Sequence, residues 1–200
     1  MSNDDSRKIS FGQDGESTLD RIIKMLRFNR IKRNIPSQSC VLDLGCGFRG
    51  DFLVALSNHI KSGLGIDMSV SSEVTADNIS LKTGIVDKRL DVKDDSMDVV
   101  TSLALIEHLD DPKTFLSESH RVLKSGGTLL LTTPSIKAKP ILELLAFRLK
   151  VISRVEIADH KRYYSKETLE NALVDAGFDK SKVSILPFQF GNNLFARAEK

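Results

Sequence analysis

The sequence predicts an α/β domain built on a doubly wound, mostly parallel sheet of seven strands. Three observations predict it. Apolar runs of strand length alternate with stretches of helical periodicity. Those runs are apolar throughout, as strands covered on both faces are. The first of them enters a glycine-rich turn with a helix directly behind it. The length of 200 residues, with 40% hydrophobic and 28% charged residues, fits one ordinary domain. It excludes a disordered chain, a collagen and a disulfide scaffold.

Residues 1–17 are polar and glycine-dotted, and read as a flexible N-terminal tail ahead of one domain over 18–200. From Thr18 to Ile35, Leu19, Ile22, Ile23 and Leu26 recur at helical spacing, and Pro36 follows. Cys40 to Leu44 is the first buried strand, and Asp51 to Ile60 the second helix. Gly63–Asp67, Ile79–Val86 and Asp98–Leu103 are the next strands. Asp111 and Pro112 open a helix running to Leu123, which Ser125, Gly126 and Gly127 stop before a strand over Thr128–Thr133. Pro134 ends the alternation, and 135–164 reads as an insertion of mixed apolar and basic character. Ser165–Ala176 is a capped helix with Gly177 behind it. Lys182–Pro187 and Gly191–Ala198 read as two last strands in an antiparallel hairpin.

Charge narrows the function. Against 29 Lys and Arg stand 27 Asp and Glu, a net charge of +2, so no wholesale nucleic-acid binder is expected. The two cysteines, Cys40 and Cys46, read as free thiols of a reducing compartment. No run approaches the roughly 20 apolar residues of a membrane span, and the N-terminus lacks an apolar signal core. A cytoplasmic location follows as the expectation. Nothing in the sequence points to an oligomeric state.

The strongest signal is VLDLGCGFRG, Val41 to Gly50, with an acid, Asp67, at the end of the next strand. Gly45, Gly47 and Gly50 satisfy G-x-G-x-x-G, the spacing of a nicotinamide-binding fingerprint. A tight strand-to-helix turn without a ligand has the same spacing. Asp43, two residues before Gly45, separates the cofactors. A carboxylate there would repel a pyrophosphate and attract an ammonium group. S-adenosyl-L-methionine carries an amino group, a carboxylate and a sulfonium, and no phosphate.

Further segments carry a resemblance. VLDLGCG from Val41, GIDMS from Gly65, DSMDVV from Asp95, LIEHL from Leu105 and RVLKSGGTL from Arg121 occur in one order. Together they resemble the class I S-adenosylmethionine-dependent methyltransferases, over roughly residues 39–134. LIEHL is similar to the subgroup containing the quinone-biosynthesis methyltransferases. The resemblance implies a Rossmann-like sheet with an antiparallel last strand. It also implies methyl transfer from S-adenosyl-L-methionine to a small-molecule acceptor. The alternatives are an NAD-dependent oxidoreductase, and a catalytically silent partner subunit of the same fold.

The resemblance also distributes roles. Gly45, Cys46 and Gly47 would let backbone approach the methionine moiety, with the following helix offering amides to its carboxylate. Asp67 would accept from both ribose hydroxyls. Met68 would pack on the adenine, or be ordinary core. Asp87 would meet the adenine amino group or be a solvated loop charge, the family's Leu-Pro after this acid being absent. Leu103 would lie beside the cofactor, because ligands sit at the carboxyl ends of such strands. His108 is a general-base candidate or a structural histidine. His160 points into the acceptor pocket or caps the next helix. Adjacent residues on a helix face apart, so Glu107 with His108 is a poor chelate. Metal-binding relatives carry a further Glu three positions earlier, where Ala104 stands here. No metal is therefore expected.

Two segments bear on the acceptor. Arg21 to Arg33 holds six basic residues and no acid. Pro140 to Arg154 interleaves apolar residues with Arg148, Lys150 and Arg154. Such helices lie on anionic membranes, or pack on the body and expose their charges. With 135–164 as an acceptor-side lid, they suggest a lipophilic or anionic acceptor and peripheral membrane contact.

Overall fold

The computed structural model describes residues 18–73, 76–148 and 157–200. The tail over 1–17 and the stretch 149–156 of the insertion lie outside the described residues. The elements run α1 (Thr18–Lys32), β1 (Cys40–Leu44), α2 (Asp51–Leu56), β2 (Ser62–Asp67), β3 (Ile79–Thr83), β4 (Met97–Leu103), α3 (Pro112–Val122) and β5 (Leu123–Pro134). A 3-10 turn (Ile136–Ala138), a short helix α4 (Lys139–Glu143) and a π-helical turn (Leu144–Arg148) follow. The helix α5 (Lys166–Asp175) and the strands β6 (Val183–Phe188) and β7 (Asn193–Glu199) close the fold.

The seven strands form one sheet in the order β3-β2-β1-β4-β5-β7-β6. β7 pairs antiparallel with both β5 and β6, and the other pairings are parallel. Successive strand residues face opposite sides of the sheet, and both sides are buried. Leu42, Val100, Leu129 and Leu131 pack with Phe115 and Leu116 of α3 and Leu169 and Leu173 of α5. Val41, Val99 and Leu130 pack on the other face with Ile31 of α1 and Phe52, Leu53 and Leu56 of α2. That double burial is why the strands read as unbroken apolar runs.

Capping sets two helix starts. Asp111 accepts from the Thr114 amide at 3.0 Å, ahead of Pro112. Ser165 accepts from the Thr168 amide at 3.1 Å, and the Thr168 hydroxyl accepts from the Ser165 amide at 2.9 Å.

Several boundaries differ from the sequence expectation. α1 ends at Lys32 rather than Ile35, because Asn34 and Ile35 bond back as a turn to Ile31 and Lys32. α2 ends at Leu56 rather than Ile60, which stays buried in a turn whose amide bonds to the Leu56 carbonyl. β3 ends at Thr83 rather than Val86, because the Gly84 amide turns back to the Asp67 carbonyl. β5 starts at Leu123, directly after α3, with a register shift that accommodates the Ser125–Gly127 stretch against β4.

Candidate active site

The carboxyl ends of β1, β2, β4 and β5 meet along one rim of the sheet, and both candidate subsites lie there. On the β1–β2 side, Gly45 and Gly47 both adopt φ +74°, the left-handed region that favours glycine. The Gly45 amide donates to the Ile66 carbonyl at 2.8 Å. A Cβ on Gly45 would lie 2.9 Å from both methyl carbons of Leu105. The Gly47 amide donates to Oδ2 of Asp67 at 2.9 Å. The acid at the end of β2 therefore already grips the loop through which a ligand would be held. Cys46 is buried against Gly65, where a Cβ would come within 2.7 Å of its Sγ. Burial, then the charges of Asp43 and Asp67, push its thiol pKa well up. Its side chain thus faces the sheet, and a ligand would meet its backbone.

Asp43 is 1% exposed, and its Oδ1 accepts from the Thr101 hydroxyl at 2.7 Å. Asp43 and Thr101 are register partners across β1 and β4. Burial raises its pKa to about 7, the Thr101 bond opposes that rise, and the Asp67 charge adds to it. Thr101 was invisible as a site residue from sequence, since only the pairing register brings it to Asp43.

Met68 is 46% exposed, so it is not ordinary core. Leu103 closes β4 half-buried, opposite Thr132 of β5. Asp87 lies four residues past the end of β3, and its Oδ2 accepts from the amides of Asp110 and Asp111 at 3.1 and 3.2 Å. It is neither at a strand end nor simply a solvated charge: it anchors the turn that leads into α3. α2 is six residues long rather than ten, so the positive end it presents to a ligand is that of a short helix.

On the β4–β5 side, Glu107, His108 and His160 come together, with one ligating atom of each within 4.8 Å of the others. Residues 106–108 are a turn, not helix, so the adjacent side chains of Glu107 and His108 converge. Glu107 is fully buried. Its Oε2 accepts from the Thr133 hydroxyl at 3.0 Å, and its Oε1 has no hydrogen-bond partner among the described residues. His108 Nδ1 lies 3.2 Å from Asp159 Oδ2. His160 Nδ1 lies 3.0 Å from the Tyr163 hydroxyl. The two imidazoles meet edge to face at 4.8 Å. Burial first, then the charges of His108 and Arg27, lower the His160 pKa to about 4, leaving it neutral at pH 7. His160 is held to the turn by its neighbours: the Lys161 amide donates to the Glu107 carbonyl at 2.9 Å, and the Arg162 guanidinium (Nη1) donates to the Leu109 carbonyl at 2.8 Å.

A sheet with one antiparallel strand between β5 and β6, a glycine loop after β1 and an acid after β2 defines an S-adenosylmethionine-type α/β domain. The all-parallel 3-2-1-4-5-6 order of dinucleotide folds is different. The chain belongs to the methyltransferase domain family, whose model matches residues 17–183. The donor of that family and fold is S-adenosyl-L-methionine.

The chain is 32% identical over 120 residues to a ubiquinone biosynthesis O-methyltransferase of Pseudomonas paraeruginosa, covering 56% of this chain and 51% of the relative. It is 29% identical over 122 residues to a 2-methyl-6-phytyl-1,4-hydroquinone methyltransferase of Synechocystis, covering 58% and 38%. It thus spans about half or less of these curated relatives. A chain of the complex between the Haloferax volcanii Trm112 methyltransferase activator and a methyltransferase superposes with TM-score 0.69 at 21% identity, over 90% of this chain and 92% of that one. A SAM-dependent methyltransferase from Archaeoglobus fulgidus superposes with TM-score 0.65 at 18% identity, over 88% and 94%. At those identities the structures speak for the fold alone.

The residues present fit the donor. Gly45 and Gly47 hold the left-handed turn that presents loop backbone at the β1 end, Asp67 stands at the β2 end, and the buried Asp43 offers negative charge to an ammonium group.

Proposed function

We propose that the protein transfers a methyl group from S-adenosyl-L-methionine to a lipophilic or anionic small-molecule acceptor. The observation that carries the reading is the Asp67 carboxylate gripping the Gly47 amide, with Glu107, His108 and His160 gathered further along the same rim. Bound at the loop, the donor supplies a methyl group already activated on sulfonium. Gly45 and Gly47 would present backbone to it, Asp67 would take the ribose hydroxyls, and Asp43 would offer its charge to the ammonium group. Met68 and Leu103 would flank it. The acceptor side must hold its nucleophile in line at about 3–3.5 Å from the methyl carbon. His108, oriented by Asp159, takes the proton of an acceptor that carries one. His160 and Tyr163 line the same wall.

The exposed face of α1 supports delivery from an anionic membrane surface. Ile22, Met25 and Leu26 are each more than 40% exposed, one helical turn apart, with Arg21 exposed beside them. Other cations of α1 turn inward: Lys24 pairs with Asp51, Arg27 bonds Asn193, and Arg30 stacks over Phe195. Among the described residues no helix is long and apolar enough to cross a membrane. Flotation with anionic vesicles tests the contact, and retention in the lipid-free fraction rejects it.

Calorimetric titration with S-adenosylhomocysteine tests the donor site, with NAD as the parallel ligand. Binding of the first, lost in Asp67→Ala, is the expected result. Binding of NAD, or of neither, overturns the reading.

A further inference from the structure

Phe190 is the most exposed large apolar side chain among the described residues. It stands in the β6–β7 turn with φ +57°, between Gln189 at +50° and Gly191 at +85°. The left-handed region is rare for a bulky residue, and such strain concentrates where a site needs it. A turn that only reversed the chain would be better served by Asn or Gly.

The turn is braced on two sides. Gln189 Nε2 donates to the Ile23 carbonyl of α1 at 3.5 Å, and the Asn193 side chain accepts from Arg27 at 3.1 Å. On the other side, the Ser135 hydroxyl donates to the Gly191 carbonyl at 2.6 Å, and the Ser135 amide to the Asn192 carbonyl at 2.9 Å. Exposed apolar residues of three segments are thereby drawn to one place: Ile22, Met25 and Leu26 of α1, Phe190 in the turn, and Ile136 next to Ser135. Singly such residues are ordinary, but gathered they mark a contact surface. Asn193 pairs with Pro134 at the end of β5, so this surface lies at the rim that carries the candidate site.

We infer that Phe190 is a membrane anchor, inserting into the interface of an anionic bilayer with α1 and Ile136 beside it. Charge and shape select that occupant. Arg21 is exposed on α1, and over residues 135–148 Lys137, Lys139 and Arg148 are exposed against one acid, Glu143. Such a surround suits anionic headgroups. A ring projecting from a hairpin turn is convex, and enters a deformable lipid interface more readily than it matches a preformed surface. The contact proposed for α1 gains a fixed point and a direction: the rim turns toward the bilayer, and a lipophilic acceptor would reach it without crossing water. That consequence rests on the proposed methyl transfer; the anchor itself does not.

The chain has no tryptophan, so Phe190→Trp places a single reporter in the turn. The test is its fluorescence with vesicles of phosphatidylglycerol and phosphatidylcholine, against vesicles of phosphatidylcholine alone. The expected result is a blue-shifted emission protected from acrylamide on the mixed vesicles, with binding to the neutral ones weaker by about tenfold or more. Phe190→Asn, which suits a left-handed turn, should weaken flotation with the mixed vesicles by about tenfold while Tm holds or rises. A residue that merely shaped the turn would lower Tm on replacement and leave flotation unchanged. Emission unmoved by the mixed vesicles overturns the inference, as does flotation unaffected by Phe190→Asn. A blue shift that appears without lipid and grows with protein concentration also overturns it, by placing a second copy on this surface. S-adenosylhomocysteine calorimetry without lipid reads the donor site separately. Its failure would reject the proposed function and leave the fluorescence result standing.

Discussion

The two ends of the candidate site are made in opposite ways. The β1–β2 end is built from backbone and from residues close in sequence: Gly45 and Gly47 in one turn, and Asp67 twenty residues after Gly47. The β4–β5 end is built from side chains of distant segments, Glu107 and His108 with Asp159, His160 and Tyr163. A common ligand is served by fixed backbone and one acid. A particular acceptor needs side chains that can change without disturbing that backbone.

Perturbing each end separately sharpens the contrast. The largest effect should come from Asp43. Burial raises its pKa from 3.8 to about 7 in the native chain. Between those values the unfolded chain is ionised and the native chain is protonated. Stability of the ligand-free protein should therefore fall by a few kcal/mol as pH rises from about 4 to about 7, and level off above. Affinity for a cationic ligand should rise over the upper part of the same range, since the carboxylate is the form that attracts it. Burial, then the Thr101 hydroxyl that donates to Asp43, then the charge of Asp67 set the midpoint. Asp43→Asn should flatten both profiles, as read by denaturant melts and calorimetry across pH; an unchanged stability slope would refute the assignment.

Asp67→Ala should weaken S-adenosylhomocysteine binding by about 100-fold, the scale of two hydrogen bonds to a charged group. Thr133→Val reverses the test. It removes the hydroxyl that donates to the buried Glu107 side chain and should cost about 2 kcal/mol, or about 4–8 °C in Tm, with donor-site affinity unchanged. Gly45→Ala forces a side chain into φ +74° and against Leu105. A loss of about 1–2 kcal/mol is expected in a thermal melt. Met68→Ala should be the mildest, within about 0.5 kcal/mol in stability because the side chain is half exposed, yet weaker in donor-site affinity by about fivefold.

What could be read beforehand follows the same division. Cys40–Leu44 matched its strand to the residue, because a run buried on both faces and closed by glycine has few other uses. Ser165 with Thr168 and Asp111 with Pro112 marked their helices, since caps are local chemistry. Helix and strand ends that depended on apolar periodicity alone overshot: Ile35, Ile60 and Val86 are buried but lie in turns. Burial shapes the pattern, and backbone hydrogen bonding sets the ends. Thr101 could not be assigned, because its meaning is a register partner. Glu107 and His108 looked like a poor chelate on the assumption of a helix, and the turn at 106–108 removes that assumption. His160 could be named but not placed, since nothing local says that Lys161 bonds to Glu107.

Ser135 and Tyr164 form an isolated bridge, and the Ile136 amide donates to the Tyr164 carbonyl at 2.9 Å. The insertion thus leaves the end of β5 and comes back beside it, like a bag drawn shut at the neck. Loop closure grows only slowly with length, by about 0.6 kcal/mol per doubling. A change of length between that neck and the segment held to Glu107 and Leu109 therefore costs little, while β5, α5 and the glycine loop keep their places. A domain wired in this way can change the molecule it modifies without rebuilding the part that supplies the methyl group.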